Sequence, residues 1–150
     1  VQWMQDVVPM ARTPLGRSAV LLCLASGRVE PNLRRETPRA WGLRKRWIGV
    51  ETSGRAILAA ALQSSVSRGG LIDDLALLAP AANLSEAQSL GLATRLCRRL
   101  TAGCVPLIER TTLRLQDGAL SLESTEPALI ADSAMRDLKE LGQQMGLALA

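Results

Sequence analysis

The side chains best suited to chemistry in this sequence are the cations between positions 12 and 46. That segment holds nine basic residues against two acidic ones, Glu30 and Glu36, and sixteen of the eighteen basic residues in the whole chain are arginine. A guanidinium group presents a planar fork of N–H donors that matches phosphate oxygens two at a time. The pattern therefore suggests an anion-binding surface, with phosphate as the preferred ligand, and leaves a solvated helix face as the alternative.

Several chemistries are excluded by residue types that the chain lacks. It contains no histidine, phenylalanine or tyrosine, and its aromatic residues are three tryptophans. A Ser-His-Asp or Cys-His centre, a histidine zinc site and an imidazole pH switch are therefore impossible, as are the Phe/Tyr stacking platforms of common RNA-binding modules. Neither of the glycine-rich motifs that cradle phosphates, G-x-x-x-x-G-K-[ST] or G-x-G-x-x-G after a strand, is present. Catalysis by residues of this chain alone is poorly supported.

The remaining reactive groups have structural interpretations. Cys23, Cys97 and Cys104 lie among Leu, Ala and Val without a Cys-x-x-Cys spacing, which favours small buried hydrophobes over metal ligands or a nucleophile. Asp73 and Asp74 are the only adjacent carboxylates, and they precede a Leu/Ala run. Because acidic residues stabilise the first turn of a helix, these two are interpreted as a helix start rather than as an acid/base pair. No cofactor is expected in this chain.

The elements that must position these groups are predicted to be mainly helical. The chain has 150 residues and is 47% hydrophobic, enough for one compact domain or two small subdomains. The predicted helices cover 1–11, 15–25 (ending at Gly27), a segment from Pro31 that breaks or kinks at Pro38, 55–67, and 85–102. The predicted connections are Trp41 and Trp47 as anchors against the core, Ser53 as a helix N-cap, a stop at Arg68, Gly69 and Gly70, and a linker over 80–83.

The clearest local signal is a β-hairpin predicted over 111–123. Its Asp-Gly pair suits a two-residue type I′ turn, which pairs Leu115 with Leu120 and Leu113 with Leu122. The four leucines then share one face of the hairpin, which needs a cover because an isolated hairpin is marginal in water. The last helix offers an apolar stripe of Ile130, Ala134, Leu138, Leu141 and Met145.

The expected fold class is therefore α+β, mainly α. We expect a helical region over 1–83, followed by a small unit over 84–150 in which a helix, the hairpin and a final helix pack together. The longest charge-free stretches, 56–67 and 75–85, are shorter than the roughly 18–20 apolar residues of a membrane span. The N-terminus shows no signal-peptide pattern, so the cytoplasm is the expected location. The first residue is Val1 rather than Met, and a longer parent protein is an expectation.

Four segments, taken in order, resemble one family. They are VEPNLR at 29–34, WIGVETSGRAILAAAL at 47–62, LGLATRL at 90–96 and PLIERTTLRL at 106–115. Their order and spacing resemble the C-terminal region of the exopolyphosphatase/guanosine pentaphosphate phosphohydrolase (Ppx/GppA) family, of the alphaproteobacterial type. That family has a His-Pro-Asp-Tyr-Arg-like segment, then Gly-Ile-Asp-His and an Arg-Ala-x-Leu-Ala helix. The resemblance covers roughly residues 15–147 and implies that 1–83 is an HD-like helical region.

The resemblance implies a parent hydrolase and a non-catalytic piece of it. Glu30 stands where the family has its first His, and Glu51 and Thr52 stand where it has Asp-His, so an HD-type metal centre is not expected. In the family the phosphohydrolase site lies in N-terminal actin-like ATPase-type domains, with Mg²⁺ aiding release of a terminal phosphate. The resemblance therefore implies a chain that contacts polyphosphate or guanosine pentaphosphate and forms a homodimer, while the absent catalytic domains cleave the bond.

An arginine track is the predicted contact surface for such a polyanion, because cations that displace condensed counterions gain free energy. The track comprises Arg34, Arg35, Arg39, Arg44, Lys45, Arg46 and Arg55. An ion pair with Glu51, one helical turn earlier, is the rival interpretation of Arg55. A second basic cluster of Arg95, Arg98 and Arg99 fits either solvated surface or anion contact.

Two other classes of function stay open. One is a dimerisation or scaffold module without a ligand, in which the arginines only solvate the surface. The other is a basic helical domain that binds nucleic acid. Residues 1–70 carry a net charge of +7 and residues 71–150 carry −3. The acidic second half and the lack of an evident recognition helix disfavour nucleic acid.

Overall fold

The computed structural model describes residues 1–67 and 70–150, and its architecture is α+β, mainly α. The helices and strands follow in the order α1 (Pro14–Ser26), α2 (Thr52–Val66), α3 (Ala81–Thr101), the one-turn α4 (Val105–Ile108), β1 (Thr111–Gln116), β2 (Ala119–Ser124), α5 (Asp132–Met145) and β3 (Ala148–Leu149). Short 3-10 helices cover Pro9–Arg12, Arg34–Glu36, Asp73–Leu77 and Pro127–Leu129, and a π-helix covers Pro38–Arg44. Among the described residues, none of the helices combines the length and apolar character that crossing a bilayer requires.

Helix α2 is the centre of the core. Its residues from Ala56 to Leu62 are all buried, and α1, α3 and the π-helix pack around it. The approach to α3 is close, because a Cβ atom on Gly91 would lie 2.2 Å from the carbonyl oxygen of Ala61. Small residues on both helices therefore bring their backbones nearly into contact. The predicted division at 83/84 stays a prediction, and one hydrophobic core extends across it.

The hairpin forms with the predicted register. Leu113 pairs with Leu122 and Leu115 pairs with Leu120 across antiparallel β1 and β2. Asp117 and Gly118 both have positive φ, at 50° and 76°, as a type I′ turn requires. The apolar face of the hairpin is covered less completely than expected, because Leu115 remains 45% exposed.

The C-terminal residues extend this sheet in a way that the sequence did not suggest. Strand β3 pairs parallel with β2, giving the strand order β1-β2-β3. Helix α5 lies between them in sequence and packs mainly on α3, with a smaller contact to β2. Ala134, Leu138 and Leu141 of the predicted stripe are buried. Ile130 is not part of the stripe's helix, because α5 begins two residues later at Asp132.

Several predicted helix boundaries are wrong in the first half of the chain. Residues 1–8 form turns ahead of the 3-10 helix Pro9–Arg12, instead of one helix over 1–11. The predicted helix from Pro31 is replaced by a turn, the 3-10 helix Arg34–Glu36 and the π-helix. Helix α2 begins at Thr52, so Ser53 lies inside its first turn and Glu51 is the N-cap, without a side-chain capping bond.

The connections around α3 also differ from the prediction. The helix begins at Ala81, so residues 81–83 are not a linker. Pro80 is its N-cap, with a φ of −58° that leads directly into the helix. Helix α2 ends at Val66, and the stop predicted at Arg68 and Gly69 lies outside the described residues.

Candidate functional site

The predicted cation track is carried by the continuous winding from Arg34 to Arg44. In its π-helical part the backbone N–H of Lys45 donates to the carbonyl oxygen of Ala40 at 3.0 Å, a bond that spans five residues. Such winding places residues four and five apart on one side. Arg39 and Arg44 follow this spacing, Arg35 lies in the preceding 3-10 helix, and all three are exposed. Together with the exposed Lys45 and Arg46, these residues are called the exposed row.

The inward side of the same segment holds it against the core. Thr37, Pro38 and Gly42 are buried. At Gly42 the backbones of the π-helix and α2 are so close that a Cβ atom would lie 2.6 Å from both the Cα and the Cβ of Ala59. A glycine is therefore required where the two helices touch. This contact fixes the platform that carries the exposed row.

Two tryptophans close the end of the segment. The indole N–H of Trp47 donates to the carbonyl oxygen of Trp41 at 2.7 Å. Both rings are half-buried and pack against the hydrophobic core, which confirms the predicted anchoring. The ammonium group of Lys45 lies 5.3 Å from the centroid of the Trp47 ring, within the range of a cation–π interaction. The lysine is thus held while its charge stays at the surface.

Five members of the predicted track are exposed and lack an acidic partner. These are Arg35, Arg39, Arg44, Lys45 and Arg46. Within the described part of the chain, no carboxylate forms an ion pair with any of them within 4.0 Å. An external anion can therefore replace the mobile ions around these charges without breaking an ion pair between described residues.

Arg34 differs from the other members because its guanidinium is engaged by the fold. Its Nε donates to the carbonyl oxygen of Val29 at 2.7 Å, and its Nη2 donates to that of Gly27 at 2.8 Å. These bonds satisfy carbonyl groups just beyond the C-terminus of α1, where a cation is electrostatically favoured. Arg34 therefore stabilises the turn that precedes the exposed row.

Arg55 is half-buried in the first turn of α2. Its Nε is buried and forms no hydrogen bond. No ion pair joins it to Glu51, so the rival interpretation of this residue is wrong. The first backbone N–H groups of α2 give this helix end a partial positive charge. The guanidinium of Arg55 adds to that charge.

In the second basic cluster Arg95 and Arg99 are paired with carboxylates of the fold, Arg95 as a buried residue and Arg99 as an exposed one. Arg95 is only 6% exposed, and its Nη2 lies 2.5 Å from Oε2 of Glu140. Its Nε lies 3.3 Å from Oδ1 of Asp137, a fully buried carboxylate that also pairs with Arg99. Nη1 of Arg95 donates to the carbonyl oxygens of Ser64 and Ser67, at the end of α2. This network joins α3 to α5 and to α2.

A signal for this network existed in the sequence. Asp137 and Glu140 are three residues apart and alternate with the apolar Leu138 and Leu141 of the same helix. Carboxylates at that spacing lie near the apolar face of α5. Carboxylates in that position predict ion pairs with the arginines of α3.

Arg98 is half-buried and has no acidic partner within 4.0 Å among the described residues. It donates to the carbonyl oxygens of Cys23 at 3.4 Å and Ser65 at 3.3 Å, near the ends of α1 and α2. Burial lowers the pKa of its guanidinium, and the positive charge of Arg34 lowers that pKa further. Arg98 thus lies among cations.

The other reactive groups fit their predicted roles, with one exception. Asp73 and Asp74 lie exposed in the first turn of a short 3-10 helix. Burial raises the pKa of the Cys23 thiol to about 11, which leaves it protonated and unreactive at neutral pH. Cys104 is exposed, contrary to the prediction of a buried hydrophobe, because it follows the end of α3.

The donor set does not fit a metal centre. Glu30, Glu51 and Thr52, at the positions where the resembled family has metal ligands, are exposed. Within 1–67 and 70–150, no three Cys, Asp or Glu side chains are grouped so that they can hold a metal ion. What the described residues do provide is the exposed row, whose cations form no ion pair within the described part of the chain.

Comparison with known proteins does not assign the chain to a family. No protein-family model matches the chain, and no curated protein matches it.

Proposed function

We propose that this chain is a non-catalytic, polyanion-binding domain. Its ligand is polyphosphate or a phosphorylated nucleotide such as guanosine pentaphosphate, which contacts the exposed cations Arg35, Arg39, Arg44, Lys45 and Arg46. Together with the segment resemblance, this points to the C-terminal domain of a Ppx/GppA-type protein. Bond cleavage and its Mg²⁺ would then belong to separate N-terminal domains, and a homodimer is part of the same proposal.

The observation that supports this proposal best is the contrast in pairing between arginines of the same chain. Arg95 and Arg99 are matched by Asp137 and Glu140 on a facing helix. The exposed row has no such match within the described residues. Charge that is concentrated on one short segment without internal neutralisation favours an external anion of many charges.

The shape of the row favours an extended ligand. Because Arg35, Arg39 and Arg44 follow one another as exposed residues along one short segment, successive guanidiniums can engage successive phosphates of one chain. Each contact releases condensed counterions, so affinity rests on the number of contacts and falls as salt rises. A compact monoanion would gain from only one or two of them.

The direct test is binding of medium-length polyphosphate by isothermal titration calorimetry at low salt. The variant carries Arg35→Glu and Arg39→Glu together, and we expect it to show no measurable binding of polyphosphate. Neither guanidinium forms an ion pair with a described residue, so the fold should be intact by circular dichroism. Unchanged affinity in this variant would remove the assignment.

A matched control separates local contact from net charge. Arg114→Glu with Arg136→Glu changes the net charge by the same amount at two exposed residues elsewhere in the chain. We expect that control to keep most of the affinity. Equal losses of polyphosphate affinity in both variants would show that binding depends on the net charge of the chain and not on contacts at the exposed row.

Two further arms address the other function classes. Duplex DNA of equal phosphate concentration should bind more weakly than polyphosphate, and tighter DNA binding would favour a nucleic-acid domain. Sedimentation velocity with and without polyphosphate measures assembly. A dimer that forms without any ligand binding would favour a scaffold module.

A further inference from the structure

A groove lies where the C-terminus of α1 meets the end of α3, and none of its lining residues belongs to the exposed row. Its volume is about 590 Å³. It is lined by Leu24, Ala25, Gly27 and Arg28 from the α1 side and by Arg98, Ala102 and Gly103 from the α3 side. The lining therefore combines apolar walls with two guanidinium groups and contains no carboxylate.

Positive charge around this groove has no carboxylate partner among the described residues, although Arg34 and Arg98 donate to carbonyl oxygens of the fold. Arg28 and Arg98 line the groove. Burial lowers the pKa of the Arg98 guanidinium, and the nearby positive charge of Arg34 lowers that pKa further. None of the three forms an ion pair within 4.0 Å with a described residue. Arg34 and Arg98 are like charges close enough to interact, so an anion added between them and Arg28 relieves that repulsion.

The guanidiniums have donors to spare. Each arginine carries five N–H groups. Arg98 uses two, in long bonds of 3.4 Å to Cys23 and 3.3 Å to Ser65. Arg34 uses two in bonds to Val29 and Gly27. An oxyanion in the groove can accept from the remaining donors while the bonds to the helix ends are kept.

Gly27 has no conformational reason to be glycine. Its φ of −62° is ordinary for any residue. A Cβ atom at this position would lie 2.7 Å from Nη1 of Arg98, so a side chain would push the guanidinium aside. The absence of a side chain at position 27 thus leaves room for the Arg98 guanidinium beside the end of α1.

We propose that this groove is a separate binding site for a single tetrahedral oxyanion of the phosphate class. Arg28 and Arg98 donate to its oxygens, Arg34 supports the local potential, and Leu24 and Ala102 form the apolar edges of the groove. The ligand is orthophosphate or the terminal phosphate group of a small phosphorylated molecule. The site does not depend on the exposed row or on polyphosphate binding.

The probe for this site is inorganic phosphate, titrated into the full chain at constant ionic strength with sodium chloride as the reference salt. Calorimetry or ¹⁵N–¹H shifts of arginine Nε groups should show saturable binding. Arg28→Gln should weaken it about tenfold, since one charged hydrogen-bond donor is lost. Gly27→Ala should weaken it severalfold by displacing Arg98. The matched control Arg114→Gln, at an exposed arginine outside both the groove and the exposed row, should bind as the unaltered chain does.

The outcomes separate cleanly. Arg28 is exposed and forms no ion pair with a described residue, so Arg28→Gln should fold normally even if a change at Arg98 does not. Binding that weakens in Arg28→Gln and Gly27→Ala but not in Arg114→Gln supports the site. Absence of saturable phosphate binding, or equal weakening in all three variants, overturns it, whatever polyphosphate does at the exposed row.

Discussion

The arginines of α3 and those of residues 35–46 are chemically the same and are used in opposite ways. Arg95 is buried between α2 and α5, and its charge is matched by Asp137 and Glu140. Arg39 is exposed on the π-helix without an acidic partner among the described residues. The difference shows that burial and pairing, more than arginine content, separate cations that hold a fold from cations available to a ligand.

The two regions also differ in what removing a charge should do. A buried carboxylate that neutralises two guanidiniums is costly to lose, because the remaining charges stay away from water. An exposed guanidinium without a partner costs little to lose. Stability measurements should therefore report on α3, and binding measurements should report on residues 35–46.

The largest effect is expected for Asp137→Ala. Because Arg95 would keep only one carboxylate and Arg99 would lose its partner, the free energy of unfolding should fall by about 3–5 kcal/mol. Urea denaturation followed by circular dichroism measures this loss. Glu126→Ala is the control, since it breaks an exposed ion pair with Arg110 and should cost about 1 kcal/mol or less. Similar costs for both variants would erase the distinction between the two regions.

Gly42→Ala should affect both stability and binding. The added Cβ would lie 2.6 Å from Ala59 of α2, so the π-helix must move away from its support. We expect a loss of about 3 kcal/mol, the upper part of the range for overpacking, because a backbone atom is in the way. Polyphosphate affinity should fall as well, since the platform shifts. Thermal unfolding and calorimetry measure the two effects, and an unchanged melting temperature would contradict the close contact.

Raising the pH tests the helix end that Arg98 covers. Burial raises the folded-state pKa of Cys23 from 9.0 to about 11, against the opposing effects of Ser65 and Arg98. The protonated thiol is therefore favoured by folding, and its contribution is full below pH 9 and is lost as the pH rises to 11. The free energy of unfolding should fall by about 2 kcal/mol over that interval.

The chain suits this pH measurement because it contains no tyrosine and only two lysines. Cys23→Ala should reduce the dependence between pH 9 and 11 and leave the part due to Cys97, whose pKa burial also raises, whereas the same change at exposed Cys104 should have no such effect. A Cys23→Ala variant with the full dependence would show that another group is responsible.

The smallest effect on stability is expected at the exposed row. Arg35→Gln with Arg39→Gln removes two charges that contact no carboxylate within the described residues. The free energy of unfolding should change by less than about 0.5 kcal/mol. Urea denaturation beside Asp137→Ala measures it, and a loss above about 2 kcal/mol would mean that these arginines support the fold.

Local chemistry made the second half of the chain easy to predict. The Asp-Gly turn at 117–118 and the alternating leucines specify the hairpin register without help from the rest of the molecule. The apolar spacing of α5 is likewise local. Strand β3 is only two residues long, and its pairing depends on where α5 returns the chain, so no local pattern predicts it.

The region around the exposed row was harder, because packing decides its form. A helix starting near Pro31 is plausible by propensity, yet Gly42 meets Ala59 of α2 and the segment winds as a π-helix instead. The composition predicts a cluster of cations between positions 34 and 46, but it does not show which of their side chains bond to the rest of the fold. That Arg34 is engaged by carbonyl groups and Arg35 is exposed follows from the turn after α1, which only the tertiary structure supplies.

The most direct test of the central claim is the salt dependence of polyphosphate binding, compared between the unaltered chain and Arg35→Gln/Arg39→Gln. Each phosphate contact contributes about 0.7 to the slope of log affinity against log salt concentration, taking the value for single-stranded nucleic acid. The account predicts a slope that is shallower by about 1.4 in the double variant, with an unchanged free energy of unfolding. Equal slopes would contradict it, because the exposed arginines would then make no contact with the polyanion.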